Sequence, residues 1–180
     1  MNIPNYLTLF RILSVPALVI ILLTPFEGRD IVGFIVFVLA SITDALDGYW
    51  ARKKKLVTVI GQLMDPTADK LLVASALICL VKLDRVPAWM AIVIIGRELA
   101  VSGFRAIAAS KGLTIQASPL GKAKMGMETW TISALILGPA ILGKLYIIAE
   151  IGLWLVFVVV VASAVEYYIK FGPQIISKQS

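Results

Sequence analysis

What most constrains this chain is that it is written as a succession of apolar runs, each roughly as long as a lipid bilayer is thick. A first run ends near Pro25, and five more occupy residues 31–50, 61–81, 87–109, 125–142 and 146–169. A helix needs about 20 apolar residues to cross the hydrocarbon layer. Lipid offers no partner for an exposed backbone amide, so such runs must satisfy their own hydrogen bonds as helices. The composition agrees: 59% of the 180 residues are apolar and the mean hydropathy is +0.93, far above soluble domains. The connections are short, with no internal repeat, low-complexity tract or linker. The expectation is an all-α integral membrane protein, residues 1–180 forming one domain of six transmembrane helices in a single bundle.

The ends and loops refine that picture. Residues 1–5 carry no basic n-region and no small-residue cleavage site follows the first run, so a removed signal peptide is not expected. Asn5 is expected to cap a helix starting at Tyr6, with Thr8 in its first turn. Arg11 interrupts the first run, which predicts a short N-terminal interfacial segment; an arginine snorkelling toward water is the bland reading of that residue. With the N-terminus inside, the inner connections and tail hold Arg52, Lys53, Lys54, Lys55, Lys111, Lys122, Lys124, Lys170 and Lys178. The outer ones hold Arg29, Lys82, Arg85 and Lys144 beside Glu27, Asp30 and Asp84. This bias places both termini in the cytoplasm, N-in/C-in, in the cell (plasma or inner) membrane. The net charge of +6 is not gathered on a polar domain and no nucleic-acid-binding motif is present. Anionic lipid and phosphorylated substrates are the expected partners; nucleic acid is not, and a homodimer is compatible with the sequence. Cys79, the single cysteine, reads as a buried packing residue without an intrachain disulfide.

Against this background, residues 44–69 stand out. They contain D-A-L-D-G-Y-W-A-R, eight residues, then G-Q-L-M-D-P-T-A-D. Ionisable groups at membrane depth are costly and point to function. Asp44, Asp47, Gly48, Ala51 and Arg52 fall on one helical stripe, and Gly61, Asp65 and Asp69 recur every four residues on another. If the basic turn between them reverses the chain, the four carboxylates share one cleft. So many anions require positive charge among them. Oxygen donors without histidine favour a hard divalent ion, Mg²⁺ or Mn²⁺, and phosphoryl chemistry commonly uses two such ions about 3.5–4 Å apart. Gly48 and Ala51 would let a nucleotide approach the helix closely. Arg52 can pair with a pyrophosphate oxygen, and Thr58 can add a hydroxyl. Small-residue helix packing and membrane-surface charge are the bland alternatives, and Lys53–Lys55 read mainly as a topology signal.

The pattern D-x2-D-G-x2-A-R-x8-G-x3-D-x3-D resembles the signature of the CDP-alcohol phosphotransferases, with every position filled: Asp44, Asp47, Gly48, Ala51, Arg52, Gly61, Asp65 and Asp69. The resemblance implies cleavage of a CDP-linked donor, joining of its phosphoryl group to an alcohol and release of CMP. It also implies that Asp44, Asp47 and Asp65 bind metal and that Asp69 both contacts metal and acts as general base. Asn5, Thr8 and Arg11 resemble the family's N-terminal N-x-L-T-x-x-R pattern, which implies a place near the donor site for Asn5 and Thr8; helix capping is the alternative.

The acceptor is read from the second half. Arg97 and Arg105, eight residues apart on a helix, share a face suited to a phosphate, whereas Arg97 with Glu98 also suits a buried bridge. G-R-E-x-x-V-S-x-x-R and the later G-K-A-K, residues 121–124, resemble family members that join CDP-diacylglycerol to glycerol 3-phosphate, with Met125 standing where a threonine is expected. This implies an acceptor-phosphate site of Arg97, Arg105, Lys122 and Lys124. Glu128 is expected to pair with a lysine or line that pocket; Glu150 and Glu166 are expected at the interface. Two alternatives stay open: another alcohol, such as inositol phosphate or serine, and an ion transporter using the carboxylates as relay sites.

Overall fold

The computed structural model describes residues 3–54, 59–110 and 119–176, and among these the side chains of residues 9–43, 67–110, 124–166 and 169. The described residues form six α-helices and no strand: α1 Ile3–Leu23, α2 Arg29–Lys54, α3 Val59–Lys82, α4 Ala88–Ser110, α5 Pro119–Leu142 and α6 Tyr146–Ile176. A 3₁₀ turn, Gly143–Leu145, joins α5 to α6. Helices of 21–31 residues are about 30–45 Å long, the scale of a bilayer. By length and hydropathy, the described stretch Lys124–Glu166 qualifies as a membrane-crossing candidate, and Leu9–Leu23 is a shorter apolar helix. The turn folds that long stretch into a hairpin. Its two arms approach closely: a Cβ on Gly152 of α6 would lie 2.8 Å from the Thr131 hydroxyl of α5.

The interior is built from one stripe of each helix. On α3 the stripe is Leu72, Ala76 and Leu80; on α6 it is Ala149, Leu153, Val156 and Val160; all are at most 5% exposed. Leu18 and Leu22 of α1, Phe37 of α2, Ile94 of α4 and Leu135 of α5 complete the same core. The opposite faces are apolar as well. Ile78, Ile92, Ile151 and Val158 are all more than half exposed. A helix apolar on every side belongs in a large core or in lipid, and a bundle with both a dry core and an apolar exterior is a membrane protein. Hydroxyls inside it satisfy themselves: Ser14, Ser41 and Ser133 donate to the carbonyls of Phe10, Phe37 and Thr129, four residues earlier, at 2.7–2.8 Å. Trp89 of α4 packs edge-on against Phe157 of α6 with ring centroids 5.2 Å apart.

One irregularity shapes the end of the bundle remote from Asp69. Within α5, Gly138 is left-handed (φ 70°, ψ 175°) and is followed by Pro139. Proline has no N–H for the carbonyl four residues back, which is that of Leu135. Arg85, in the α3–α4 connection, supplies donors instead, to Leu135 O at 3.2 Å and Ile136 O at 2.6 Å, while its Nη2 pairs with Asp30 of α2 at 2.6 Å. Arg85, expected as an outer-loop charge, is thus a bolt joining α2, α5 and the α3–α4 turn.

The N-terminal expectations need correction. α1 begins at Ile3, so Asn5 lies within its first turn rather than at a cap; Pro4 suits that turn because its missing N–H would have no partner there. α1 is also continuous from Ile3 to Leu23, so the expected interfacial segment is not a separate element. Arg11 does not snorkel. It is fully buried, and its Nε donates to Ala40 O at 3.4 Å, because its face of α1 packs on α2. At the other end, α6 continues to Ile176, leaving Glu166 partly buried inside the helix instead of near its end; Glu150 is exposed.

Candidate active site

Asp44 and Asp47 lie toward the C-terminal end of α2, and Asp65 and Asp69 in the N-terminal half of α3. These two helices pack on one another and run in opposite directions across a short connection, so all four positions belong to the same end of the bundle. The side chains of Asp44, Asp47, Gly48, Ala51, Arg52 and Asp65 lie outside the described residues, as do those of Asn5, Thr8 and Lys122, and Thr58 lies outside them entirely. Asp69 is described. It is partly buried and lines a polar cavity of about 280 Å³ with Lys70 of α3, Arg97, Glu98, Ser102 and Arg105 of α4, and Met125 and Glu128 of α5. The expected base therefore stands where the α2–α3 pair meets a pocket walled by α3, α4 and α5.

A chain of partly to fully buried charges runs through that wall. Arg97 Nη1 donates to Glu98 Oε1 at 2.6 Å and its Nη2 to Ser163 Oγ of α6 at 2.7 Å. Lys124, only 2% exposed, donates to Glu98 Oε1 and pairs with Glu128 Oε2 at 2.9 Å, one helical turn along α5. Two cations and two carboxylates balance, which is the condition for burying them. The Ser163 hydroxyl in turn donates to Val160 O at 3.0 Å. Arg97 both bridges to Glu98 and lines the cavity.

The predicted phosphate-binding residues are thus only partly gathered. Arg97 and Arg105 reach one cavity, as their eight-residue spacing on α4 implies. Lys124 does not line it; its ammonium is held behind the wall by Glu98 and Glu128. Glu128 pairs with Lys124, one of the two expectations for it, and also lines this cavity. Sequence reasoning passed over Lys70 and Ser102. Ser102 stood in the G-R-E-L-A-V-S segment four residues after Glu98, to whose carbonyl it donates at 2.6 Å. Lys70 carried a signal too, as a charge adjoining Asp69 in an apolar helix.

Residues 1–165 match the sequence profile described as CDP-alcohol phosphatidyltransferase. The chain belongs to that family. A relative from Bacillus subtilis, named CDP-diacylglycerol–glycerol-3-phosphate 3-phosphatidyltransferase, is 44% identical over 94% of each chain. A relative of the same name from Rickettsia typhi is 39% identical over 93% of this chain and 95% of its own. A third, from Pseudomonas fluorescens, is 42% identical over 63% of this chain and 60% of its own. Asp69 and the charged side chains of α4 and α5 thus line one cavity at the carboxylate end of the fold. The donor chemistry also suits the divalent ion on which this family depends: the aspartates offer only oxygen, the chain has no histidine, and Cys79 is buried in the core away from them.

Proposed function

We propose that the chain transfers the phosphatidyl group of CDP-diacylglycerol to sn-glycerol 3-phosphate, giving phosphatidylglycerophosphate and CMP in phospholipid biosynthesis. The observation that carries this reading is that Asp69, Arg97 and Arg105 line one cavity. A hydroxyl of the acceptor lies at Asp69, while its phosphate is met by Arg97 and Arg105. Asp69 takes the hydroxyl proton, the alkoxide oxygen bonds to the lipid-linked phosphorus, and the pyrophosphate P–O bond breaks with its electrons leaving on CMP. Holding two reactants in one cleft replaces a bimolecular encounter by a positioned one. Gly48 and Ala51 give the nucleotide room, Arg52 and Thr58 take its pyrophosphate, and Asn5 and Thr8 lie at the donor side. Asp44, Asp47, Asp65 and Asp69 would hold Mg²⁺ or Mn²⁺, two ions in our reading, which supply charge stabilisation for the pyrophosphate when bound. Lys122 adds to the acceptor-phosphate charge; Lys124 serves that site from behind, by holding Glu98 and Glu128.

All six helices cross the bilayer in this reading, with both termini and the carboxylate end in the cytoplasm of the cell membrane. Basic residues 52–55, 111 and 122 support that orientation. A water-soluble acceptor and CMP then exchange on the aqueous side while the acyl chains stay in lipid. The test is CMP release by purified protein given CDP-diacylglycerol, Mg²⁺ or Mn²⁺ and a panel of alcohols. Glycerol 3-phosphate is expected to be preferred over glycerol, serine and inositol phosphate; a preference for any of those replaces the acceptor, and no CMP release with any removes the reaction.

A further inference from the structure

Glu128 carries an oxygen that the network does not use. Its side chain is 7% exposed and lines the Asp69 cavity. Oε2 is taken by Lys124, whereas Oε1 is buried with no hydrogen-bond partner. Lys124 spends its other contact on Glu98, so no proton of the network is directed to Oε1. A carboxylate oxygen removed from water without a donor is costly, and one on the wall of a substrate pocket is paired when substrate arrives. Arg97, on the same wall, has the converse feature: Nη1 and Nη2 are engaged while Nε is buried without an acceptor. The wall therefore offers one unfilled acceptor and one unfilled donor. Lys70, Arg97, Arg105 and, behind them, Lys124 already match the carboxylates of Asp69, Glu98 and Glu128, so the group that fits Glu128 Oε1 is a neutral hydroxyl; an ammonium would add a further cation.

We infer that Glu128 is a specificity-determining residue that accepts a hydrogen bond from a non-reacting hydroxyl of the acceptor. The pocket thereby selects a phosphorylated polyol with a free hydroxyl beside the attacking one. This rests on the transferase reading above, with Asp69 handling the reacting hydroxyl and the arginines the phosphate. A site that binds a hydroxyl discriminates strongly against an analogue lacking it, because its own polar group is left unpaired.

The experiment compares kcat/KM for glycerol 3-phosphate and for 3-hydroxypropyl phosphate, which lacks only the middle hydroxyl, in wild type, Glu128→Leu and Glu128→Gln, each checked for folding by thermal denaturation. Wild type should favour glycerol 3-phosphate by about tenfold or more, the size of a hydrogen bond to a charged group. In Glu128→Leu the ratio should fall to within about twofold of unity, with KM for CDP-diacylglycerol nearly constant, and Glu128→Gln, which keeps a carbonyl oxygen, should restore part of it. A wild-type ratio near one overturns the inference, and this holds even if the leucine variant fails to fold. A folded variant that keeps the wild-type ratio, or loses both acceptors equally, also overturns it. If wild type releases CMP with other alcohols but not with glycerol 3-phosphate, the transferase's acceptor assignment has failed instead, and the inference falls with it.

Discussion

Arg97 of α4 and Ser163 of α6 are joined by a 2.7 Å hydrogen bond spanning 66 residues of sequence. This bond ties the arginine on the cavity wall to the final helix, so its guanidinium is oriented from behind as well as by Glu98. Ser163→Ala should leave one guanidinium N–H buried and unpaired, lowering stability by about 1.5–3 kcal/mol. The readouts are thermal denaturation and KM for each substrate. KM for the acceptor should rise while that for CDP-diacylglycerol stays nearly constant; equal rises would remove Arg97 from the acceptor site.

Gly138 and Gly103 form a matched contrast. A Cβ on Gly138 would lie 2.6–2.8 Å from the Arg85 guanidinium, in a backbone with φ 70°. That guanidinium is held by Asp30 and two α5 carbonyls, so it cannot move aside without breaking them. Gly138→Ala should cost about 1–3 kcal/mol. Gly103, inside α4 with nothing within 4 Å of its added Cβ, should accept alanine with a gain of about 0.5–1 kcal/mol. Denaturation midpoints of the two variants decide it, with opposite signs expected.

The carboxylate assignment is tested by charge removal without change of shape. Asp44→Asn, Asp65→Asn and Asp69→Asn should each lower CMP release by about 10²-fold or more, since a positioned base alone contributes 10²–10⁴. Chelating divalent ions should abolish turnover in wild type, and Mg²⁺ or Mn²⁺ should restore it. Near-normal turnover in any of these variants releases that aspartate from its role.

Orientation can be read by chemical labelling. Cys79 is buried in the core, so Cys79→Ala with Lys54→Cys gives a protein whose thiol lies at the end of α2. A membrane-impermeant reagent should label it only from the cytoplasmic face. Labelling of intact cells from outside would invert the topology.

Local pattern carried much of this protein in its sequence. Apolar runs of bilayer length specify helices wherever they sit, because each satisfies its own backbone, and each of the six helices starts or ends within a few residues of an expected run. The stripe Asp44, Asp47, Gly48, Ala51, Arg52 and the four-residue recurrence of Gly61, Asp65 and Asp69 are likewise periodic signals, legible without a neighbour. They were enough to locate the carboxylate end and, with the resemblance, the family.

What the sequence could not determine is which charge meets which. Arg85 read as a loop cation, Arg11 as an interfacial one and Lys124 as a phosphate ligand. Folding gives them Asp30 and the α5 carbonyls, the Ala40 carbonyl, and Glu98 with Glu128. These partners lie on other helices or depend on a neighbouring helix excluding water. The rotation and crossing of packed helices sets them, and no spacing along one chain segment encodes that. Asp69 was visible as an acid in an apolar run; only the packing of α3 against α4 and α5 made it one wall of a pocket.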